Sequence, residues 1–249
     1  MTTANMIEMK EVSKRFGSKI VLDGVNLHLE KRKSLAVIGG SGSGKSVTLK
    51  CILGLLKPEQ GSILINGEES CDINKKKRDA LNSNIGMLFQ NGALFDSMTV
   101  WQNVAFDALN NRKLSHEEAR LIAKETLALV GLKEHVMDVD IASLSGGMHK
   151  RIGLARAIAP KPDILFFDEP TTGLDPIMSD LINHLIRDCV KELGATALTI
   201  THDMTSVNVF ADEVAMLYQG KIIWQGRQED IANTDRKEIA NFIHGEVEE

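Results

Sequence analysis

The run Leu35-Ala36-Val37-Ile38 passes directly into Gly39-Gly40-Ser41-Gly42-Ser43-Gly44-Lys45-Ser46, and from there into Val47-Thr48-Leu49-Lys50-Cys51-Ile52-Leu53. A short extended run, a glycine-rich turn and a helix-like run in that order form the context of a phosphate-binding loop and point to an α/β architecture. Glycines at 39, 40, 42 and 44 allow successive N–H groups to converge, and the helix opening near Lys45 adds its positive end. That cradle suits a polyphosphate. Lys45 is placed to reach β- and γ-phosphates, and the Ser46 hydroxyl suits ligation of Mg²⁺. Val47 completes the binding segment at the first turn of the helix.

Composition narrows the partners. A length of 249 residues allows one large domain, or a core with a smaller insertion. The formal charge of -5 comes without any long basic block, so nucleic acid is not expected as a partner. The densest positive cluster, Lys75-Lys76-Lys77-Arg78, reads as a solvated helix start or loop. Cys51, Cys71 and Cys189 are odd in number and far apart, which gives neither a zinc spacing nor a disulfide framework and suits a reducing compartment. Met1 to Met6 lack the basic-then-apolar order of a secretory signal, and no apolar run is long enough to span a bilayer. The chain is expected in the cytoplasm, with any membrane role supplied through a partner.

Ile7 to Val12, Val25 to Leu29 and Ser62 to Ile65 alternate with a period near two. Turns are expected at Phe16-Gly17-Ser18-Lys19, Leu22-Asp23-Gly24 and Asn66-Gly67, so these runs read as antiparallel strands around the phosphate loop. Phe16, the one aromatic residue ahead of the loop, either stacks on a nucleotide base or packs in a core. The helix after the loop should stop near Leu55-Leu56-Lys57-Pro58. A second helix is predicted over Asn74 to Asn82, and Ile85 to Phe89 reads as a buried strand delivering Gln90 at its end, where it either senses phosphate or is solvated.

From about 91 to 161 the pattern turns helical. Ser115-His116-Glu117-Glu118 is a capping box, and Trp101 and Phe106 read as core residues of an inserted helical subdomain. In Leu144-Ser145-Gly146-Gly147-Met148 the serine can cap the next helix while two glycines leave N–H groups unobstructed, which marks either an anion site or an ordinary capped helix. Asp163 to Phe167 is an apolar strand ending in Asp168-Glu169-Pro170, the pattern of a strand in a central parallel sheet with its chemistry at the carboxyl end. Asp168 is the candidate for the magnesium shell and Glu169 the candidate general base toward water. A helix over Ile177 to Leu193 is expected to turn Leu181, Leu185, Ile186, Cys189 and Val190 inward. The buried strand Thr196 to Ile200 leads to His202, a hydrogen-bond donor toward a γ-phosphate if one lies beside it. Val214 to Leu217 and Ile222 to Trp224 read as a hairpin, and Ile239, Phe242 and Ile243 form a late apolar stripe that packs on its own domain or on another subunit.

Taken together, Phe16, the phosphate loop, Gln90, Ser145-Gly146-Gly147, Asp168-Glu169, Asp175 and His202 resemble, in order, the motif set of ABC transporter nucleotide-binding subunits. The resemblance implies a P-loop NTPase of ABC type: a RecA-like core with an antiparallel β-subdomain over 1–90 and 162–233, a helical subdomain over 91–161, and a C-terminal helix and tail over 234–249. It implies ATP and Mg²⁺, with Ser46, Gln90 and Asp168 toward the metal and Glu169, His202, Gln90 and Lys45 toward hydrolysis. It further implies a homodimer in which Ser145, Gly146, Gly147 and Asp175 of one subunit meet ATP held by the other, and a separate transmembrane permease. Phe89-Gln90-Asn91-Gly92-Ala93-Leu94-Phe95, Met98-Thr99-Val100 and Met148 are similar to the Mla-type branch. That branch moves phospholipid between the two membranes of Gram-negative bacteria with an MCE-domain partner, from the cytoplasmic side of the inner membrane. An amino-acid or metal importer ATPase, or a soluble ATPase of iron-sulfur cluster assembly, stands as the alternative. Members of that branch also carry a C-terminal extension that grasps the opposite ATPase, for which Gly245 to Glu249 offers no matching signature. His149 stands where arginine is expected.

Overall fold

The computed structural model describes residues 4–244. In chain order it contains β1 (Asn5–Phe16), β2 (Lys19–Glu30), β3 (Ser34–Ile38), α1 (Lys45–Ile52), β4 (Gln60–Ile65), β5 (Glu68–Glu69) and α2 (Lys75–Asn82). Next come β6 (Ile85–Leu88), α3 (Val100–Val104), α4 (Phe106–Asn110), α5 (His116–Leu129), α6 (Gly146–Ile158), β7 (Ile164–Asp168) and α7 (Pro176–Leu193). These are followed by β8 (Thr196–Ile200), α8 (Met204–Phe210), β9 (Glu213–Tyr218), β10 (Lys221–Arg227) and α9 (Lys237–His244). The elements form two compact units, one of Met1–Asn82 with Thr196–Glu249 and the other of Ser83–Ala195. The second unit contains the whole of the expected helical stretch 91–161 together with β6, β7 and α7.

In the first unit, period-two alternation produces an antiparallel sheet of order β2-β1-β4-β5. Ile7, Met9 and Val12 of β1 and Leu22, Val25, Leu27 and Leu29 of β2 are buried on its inner face. The turn expected at Leu22-Asp23-Gly24 is absent. β2 runs through it, and Gly24 at φ +62° forms a bulge whose N–H donates to Ser13 Oγ at 2.9 Å. Glu11 on the facing strand takes φ +50°, and the β1/β2 register shifts on either side of Val12. Such paired irregularity bends a long two-stranded ribbon without ending it. The expected turns at Gly17 and Gly67 form, both with positive φ.

β3 lies between β8 and β9, parallel to both, with β10 returning antiparallel to β9. Every residue of β3 and β8 is buried, which explains why these strands are apolar apart from the small hydroxyl residues Ser34, Thr196 and Thr199 and do not alternate with charged ones. The β9-β10 hairpin turns through Gln219 and Gly220, both at positive φ, as a two-residue connection of matching twist requires. Beyond the phosphate loop α1 ends at Ile52, one turn before the predicted stop, with Gly54 at φ +70° ahead of Pro58.

In the second unit β6 and β7 pair in parallel, with Leu88 opposite Phe167. α6 presses on β6 so closely that a Cβ at Gly86 would overlap the carbonyl of Ala157. Ser115 and Glu118 form the expected capping box, with Glu118 N–H donating to Ser115 Oγ at 3.3 Å and Ser115 N–H donating to Glu118 Oε2 at 2.9 Å. Trp101 is buried under the Arg120 guanidinium, 5.1 Å from its centroid, and Phe106 stacks on Phe95 at 4.7 Å. In α7 the inward stripe is Ile182, Ile186, Cys189 and Val190, while Leu181 faces out. Ile186, Cys189 and Val190 lie inward as expected and Leu185 is half-buried; only the first position differs, because Ile182 stands four before Ile186, whereas Leu181 stands five before it and falls off the buried face.

Candidate active site

The phosphate loop is shaped by its glycines for two different reasons. Gly39, Gly42 and Gly44 sit at φ +150°, +76° and +113°. A Cβ on Gly39 would overlap the carbonyl of Leu217 on β9, and one on Gly44 would come 2.8 Å from Leu22 Cδ2. Those two positions are glycine because the loop is pressed onto β9 at Gly39 and onto β2 at Gly44. At Gly40 and Gly42 a Cβ would meet nothing within 4 Å. This open side is where an anion can approach the backbone. Gly44 caps α1 without any side-chain hydrogen bond, so no side chain of the loop caps the helix end in place of a ligand.

Lys45 is 9% exposed, and its ammonium donates to the carbonyls of Gly39 at 2.6 Å and Gly40 at 3.0 Å. A buried positive charge thus stands within the bowl of the loop. Ser43 Oγ, beneath Gly39, is buried without a hydrogen-bond partner. A bound polyphosphate fits this set of donors. Ser46 is exposed and Val47 half-buried at the start of α1.

Phe16 ends β1 and is 48% exposed, with the Lys14 ammonium 5.5 Å from its ring centroid. That exposure removes the core alternative and leaves a face for stacking. Thr201 N–H donates to Val37 O at 3.2 Å, which sets His202 just past the end of β8, beside the end of β3 from which the phosphate loop departs. α9 anchors through fully buried Ile239. Its Glu238, Asn241 and Phe242 border a cavity of about 340 Å³ whose other side includes Gly40 to Ser43. The late apolar stripe therefore packs in part on its own unit, while Gly245 to Glu249, where a grasping signature is expected, lie outside the described residues.

The second unit gathers the remaining candidates. The parallel register of β6 and β7 brings Gln90 and the Asp168-Glu169 pair to the same strand end. Glu169 adopts φ +48°, a left-handed conformation that a non-glycine residue holds only when its neighbours impose it. Thr172 supplies part of that restraint: its hydroxyl donates to Glu169 Oε2 at 3.1 Å and its N–H to Glu169 O at 3.3 Å. Lys150 supplies another, because its ammonium donates to the carbonyls of both Gln90 and Glu169, the latter at 3.3 Å. Burial pushes the Lys150 ammonium below its ordinary pKa, against the opposing pull of Asp168 and Glu169.

Ser145 caps α6, accepting from Met148 N–H at 3.4 Å, and His149 turns back so that Nδ1 lies 3.0 Å from Ser145 O. Asp175 caps α7, accepting from Met178 N–H at 3.0 Å. The side chain of Met178 occupies the space a Cβ on Gly147 would need, so the two helix starts are packed together through one flexible side chain. Gly146 has no neighbour within 4 Å of the Cβ it lacks.

Among the described residues no group of three His, Cys, Asp or Glu is arranged to hold a metal ion. The candidate ligands Ser46, Gln90 and Asp168 are one hydroxyl, one amide and one carboxylate. Each is an oxygen donor of the kind Mg²⁺ takes, an ion that draws most of its shell from phosphate and water. When bound, Mg²⁺ would neutralise charge developing on the phosphates.

Motif reading alone misses Lys150, Arg156 and Thr172. Lys150 and Arg156 do stand six residues apart with Gly153 midway between them, but with His149 and Arg151 in the same helix no local pattern singles them out.

A family model described as ABC transporter matches residues 22–172. The intermembrane phospholipid transport system ATP-binding protein MlaF of Haemophilus influenzae is 37% identical over 242 residues, covering 97% of this chain and 91% of that protein. The probable ribonucleotide transport ATP-binding protein mkl of Mycobacterium leprae is also 37% identical, over 96% of this chain and 69% of its own length. The methionine import ATP-binding protein MetN of Rhizobium johnstonii is 37% identical over 96% of this chain and 65% of its length. Among solved structures, cbiO1 of Clostridium perfringens, part of the ABC transporter complex cbiONQ, superposes with a TM-score of 0.84 at 31% identity, covering 98% of this chain and 96% of that one. A dimeric bacterial ABC transporter cassette gives 0.82 at 30% identity, covering 90% and 99%. This chain belongs to the ABC transporter family as an ATP-binding subunit, has the P-loop ATPase fold of that family, and hydrolyses ATP.

Proposed function

We propose that this chain is the ATPase of an Mla-type system that moves phospholipid between the inner and outer membranes of a Gram-negative bacterium. In this reading two copies form a homodimer on the cytoplasmic side of the inner membrane, joined to a separate permease that works with an MCE-domain lipid-binding protein. Among the described residues no helix is long and apolar enough to cross a membrane, so a membrane role needs such a partner. The observation that carries the reading is the 37% identity to the phospholipid transport ATPase MlaF over 242 residues, joined to the run Phe89 to Phe95 and Met148, which are similar to the same branch.

The residues take these roles. Phe16 stacks on the adenine base, and residues 39–47 hold the phosphates, with Lys45 as the charge. Ser46, Gln90 and Asp168 hold Mg²⁺, Glu169 polarises the attacking water, and His202 donates to the γ-phosphate. Ser145, Gly146, Gly147 and Asp175 close over ATP held by the second copy. A related ATP-binding cassette, dimeric in a post-hydrolysis state bound to ADP and Pi, supports pairing of this kind. The functional division of the chain into a core over 1–90 and 162–233, a helical subdomain over 91–161 and a C-terminal segment over 234–249 goes with this reading.

The test is purification of the intact complex from membranes followed by mass spectrometry of its protein partners and bound small molecules. An MCE-domain protein together with bound phospholipid is the expected result. A periplasmic solute-binding protein with an amino acid or metal ion would replace it with the importer alternative, which the methionine-import relative favours. A soluble scaffold without any multispanning partner would exclude transport.

A further inference from the structure

One face of α6 is built to hold the segment that follows β6. Lys150, Gly153 and Arg156 recur every three residues along it. The Lys150 ammonium donates to Gln90 O, and the Arg156 guanidinium donates to Gly92 O at 3.1 Å and Ala93 O at 2.7 Å. Between them Gly153 has no side chain because one would meet Gly92 Cα at 3.3 Å and Leu88 Cδ1 at 2.8 Å. The Arg156 guanidinium also lies 5.6 Å from the Phe95 ring centroid. Carbonyls of an irregular segment are thereby satisfied by one helix, the same helix that begins at Ser145.

Lys150 differs from Arg156 in what else it reaches. It is 5% exposed, and besides Gln90 O it donates to Glu169 O at 3.3 Å. Glu169 is the residue at φ +48° at the end of β7, with its carboxylate accepting from Thr172 Oγ1. A single buried ammonium thus connects three segments far apart in sequence: α6, the segment after β6 and the turn after β7.

We propose that Lys150 is a positioning residue for ATP hydrolysis, a tie that fixes the Glu169 backbone to Gln90 so that the carboxylate holds its direction toward water only while α6 and the Gln90 segment are in place. The proposal rests on the assignment of Glu169 as the water-polarising group. A carboxylate carried on a left-handed turn has its direction set by that turn, so removing a donor to the turn's carbonyl lets it relax and disperses the carboxylate. The hydrogen bonds of Lys150 go to Gln90 and Glu169, both in the second unit, whereas the phosphate loop is held by residues of the first. The loss should therefore fall on the chemical step rather than on nucleotide binding.

The experiment uses the full chain, or its complex with the permease, and compares Lys150→Met and Lys150→Arg in steady-state ATP hydrolysis. Lys150→Met keeps the length and apolar stem but gives neither carbonyl a donor. It should lower kcat by roughly 10- to 100-fold with KM for ATP within about threefold, and Lys150→Arg, which keeps charge and donors, should recover most of the rate. A kcat within about twofold of the parent, or an arginine variant as impaired as the methionine one, overturns the proposal. If Lys150→Met unfolds, Lys150→Gln, which retains one donor group, takes its place and should fall between parent and background, and parental activity there overturns the proposal equally.

Glu169→Gln separates the two readings. If it turns over near the parental rate, Glu169 is not the base and the functional assignment fails by itself. If it is inactive while Lys150→Met is normal, only the positioning role fails. Adding Lys150→Met to Glu169→Gln should reduce the residual rate little further, and losses that multiply would show Lys150 acting elsewhere.

Discussion

Gly146 offers a test in which stability and activity should move in opposite directions. It is exposed at the first turn of α6, has no positive φ, and a Cβ added to it would meet nothing within 4 Å. Within this chain nothing requires glycine there. Gly146→Ala should leave the fold intact and stabilise the helix by about 0.4–1 kcal/mol through reduced freedom in the unfolded chain, or roughly 1–4 °C in Tm for a protein of this size. If the open backbone at 145–147 is the surface that closes over a phosphate, the added methyl group occupies the approach. Displacing one N–H donor from a phosphoryl-transfer transition state costs on the order of 10²-fold in rate, and a partial displacement about tenfold. Thermal unfolding with coupled-enzyme ATPase kinetics reads both effects on the same preparation. Parental kcat/KM in Gly146→Ala would refute the assignment of this segment to the active site. A fall in Tm of several degrees would refute the local geometry, since only a buried or strained glycine resists alanine. Gly147→Ala is the natural contrast, because its methyl would have to displace Met178.

Other outcomes follow from the same features. Glu169→Gln is expected to bind ATP normally, to lose nearly all turnover and to trap a dimer detectable by gel filtration with ATP, whereas Lys45→Ala should weaken nucleotide binding and catalysis together; the opposite pattern would exchange their assignments. Burial pushes the Cys51 and Cys189 thiols up to about 11 and also raises Cys71, which is only half-buried. A thiol reagent at about pH 8 should therefore label at most Cys71 in the folded protein and all three in denaturant, as counted by intact mass; rapid labelling of Cys51 or Cys189 would contradict the packing. Three surface carboxyls are held below their ordinary range: Glu59 by the Lys14 ammonium, Glu118 by the Ser115 hydroxyl and Asp138 by the Arg120 guanidinium. Because their folded pKa values are depressed, the stability they contribute is present above about pH 4 and is lost as pH falls through the lower folded values. Tm should thus stay flat from about pH 8 to 5 and drop below about 4, and a fall between about pH 8 and 6 would point to other groups.

Legibility in the sequence depends on whether a feature is local. The phosphate loop and the strand ending at Asp168 are legible because glycine spacing and unbroken apolarity are written in adjacent residues, as are the Ser115 capping box and the Gln219-Gly220 turn. Gly24 misleads because an Asp-Gly pair looks alike whether it ends a strand or bulges it, and the distinction lies on the partner strand at Glu11. Only the first member of the α7 stripe is misread, since Leu181 and Ile182 are both apolar and only the surface they face can choose between them. Phe16 stays ambiguous until its exposure is known. Lys150 is illegible for a stronger reason: its partners lie 60 and 19 residues away, and its burial reverses what a lysine in a basic run suggests.

The position of β3 in the first unit bears on how the protein is made. Its flanking strands begin at Thr196 and Glu213, and Gly39 is seated on the carbonyl of Leu217, all encoded more than 150 residues after Ile38. At about 5–20 residues per second, a nascent chain waits on the order of ten to thirty seconds between synthesising the phosphate loop and synthesising the strands that shape it. During that interval β3 lacks both of its pairing strands, and the loop lacks the support that sets its φ angles. Nucleotide binding therefore belongs to the finished chain, and a ribosome stalled before the β9 segment emerges should display a P-loop sequence that cannot yet hold ATP.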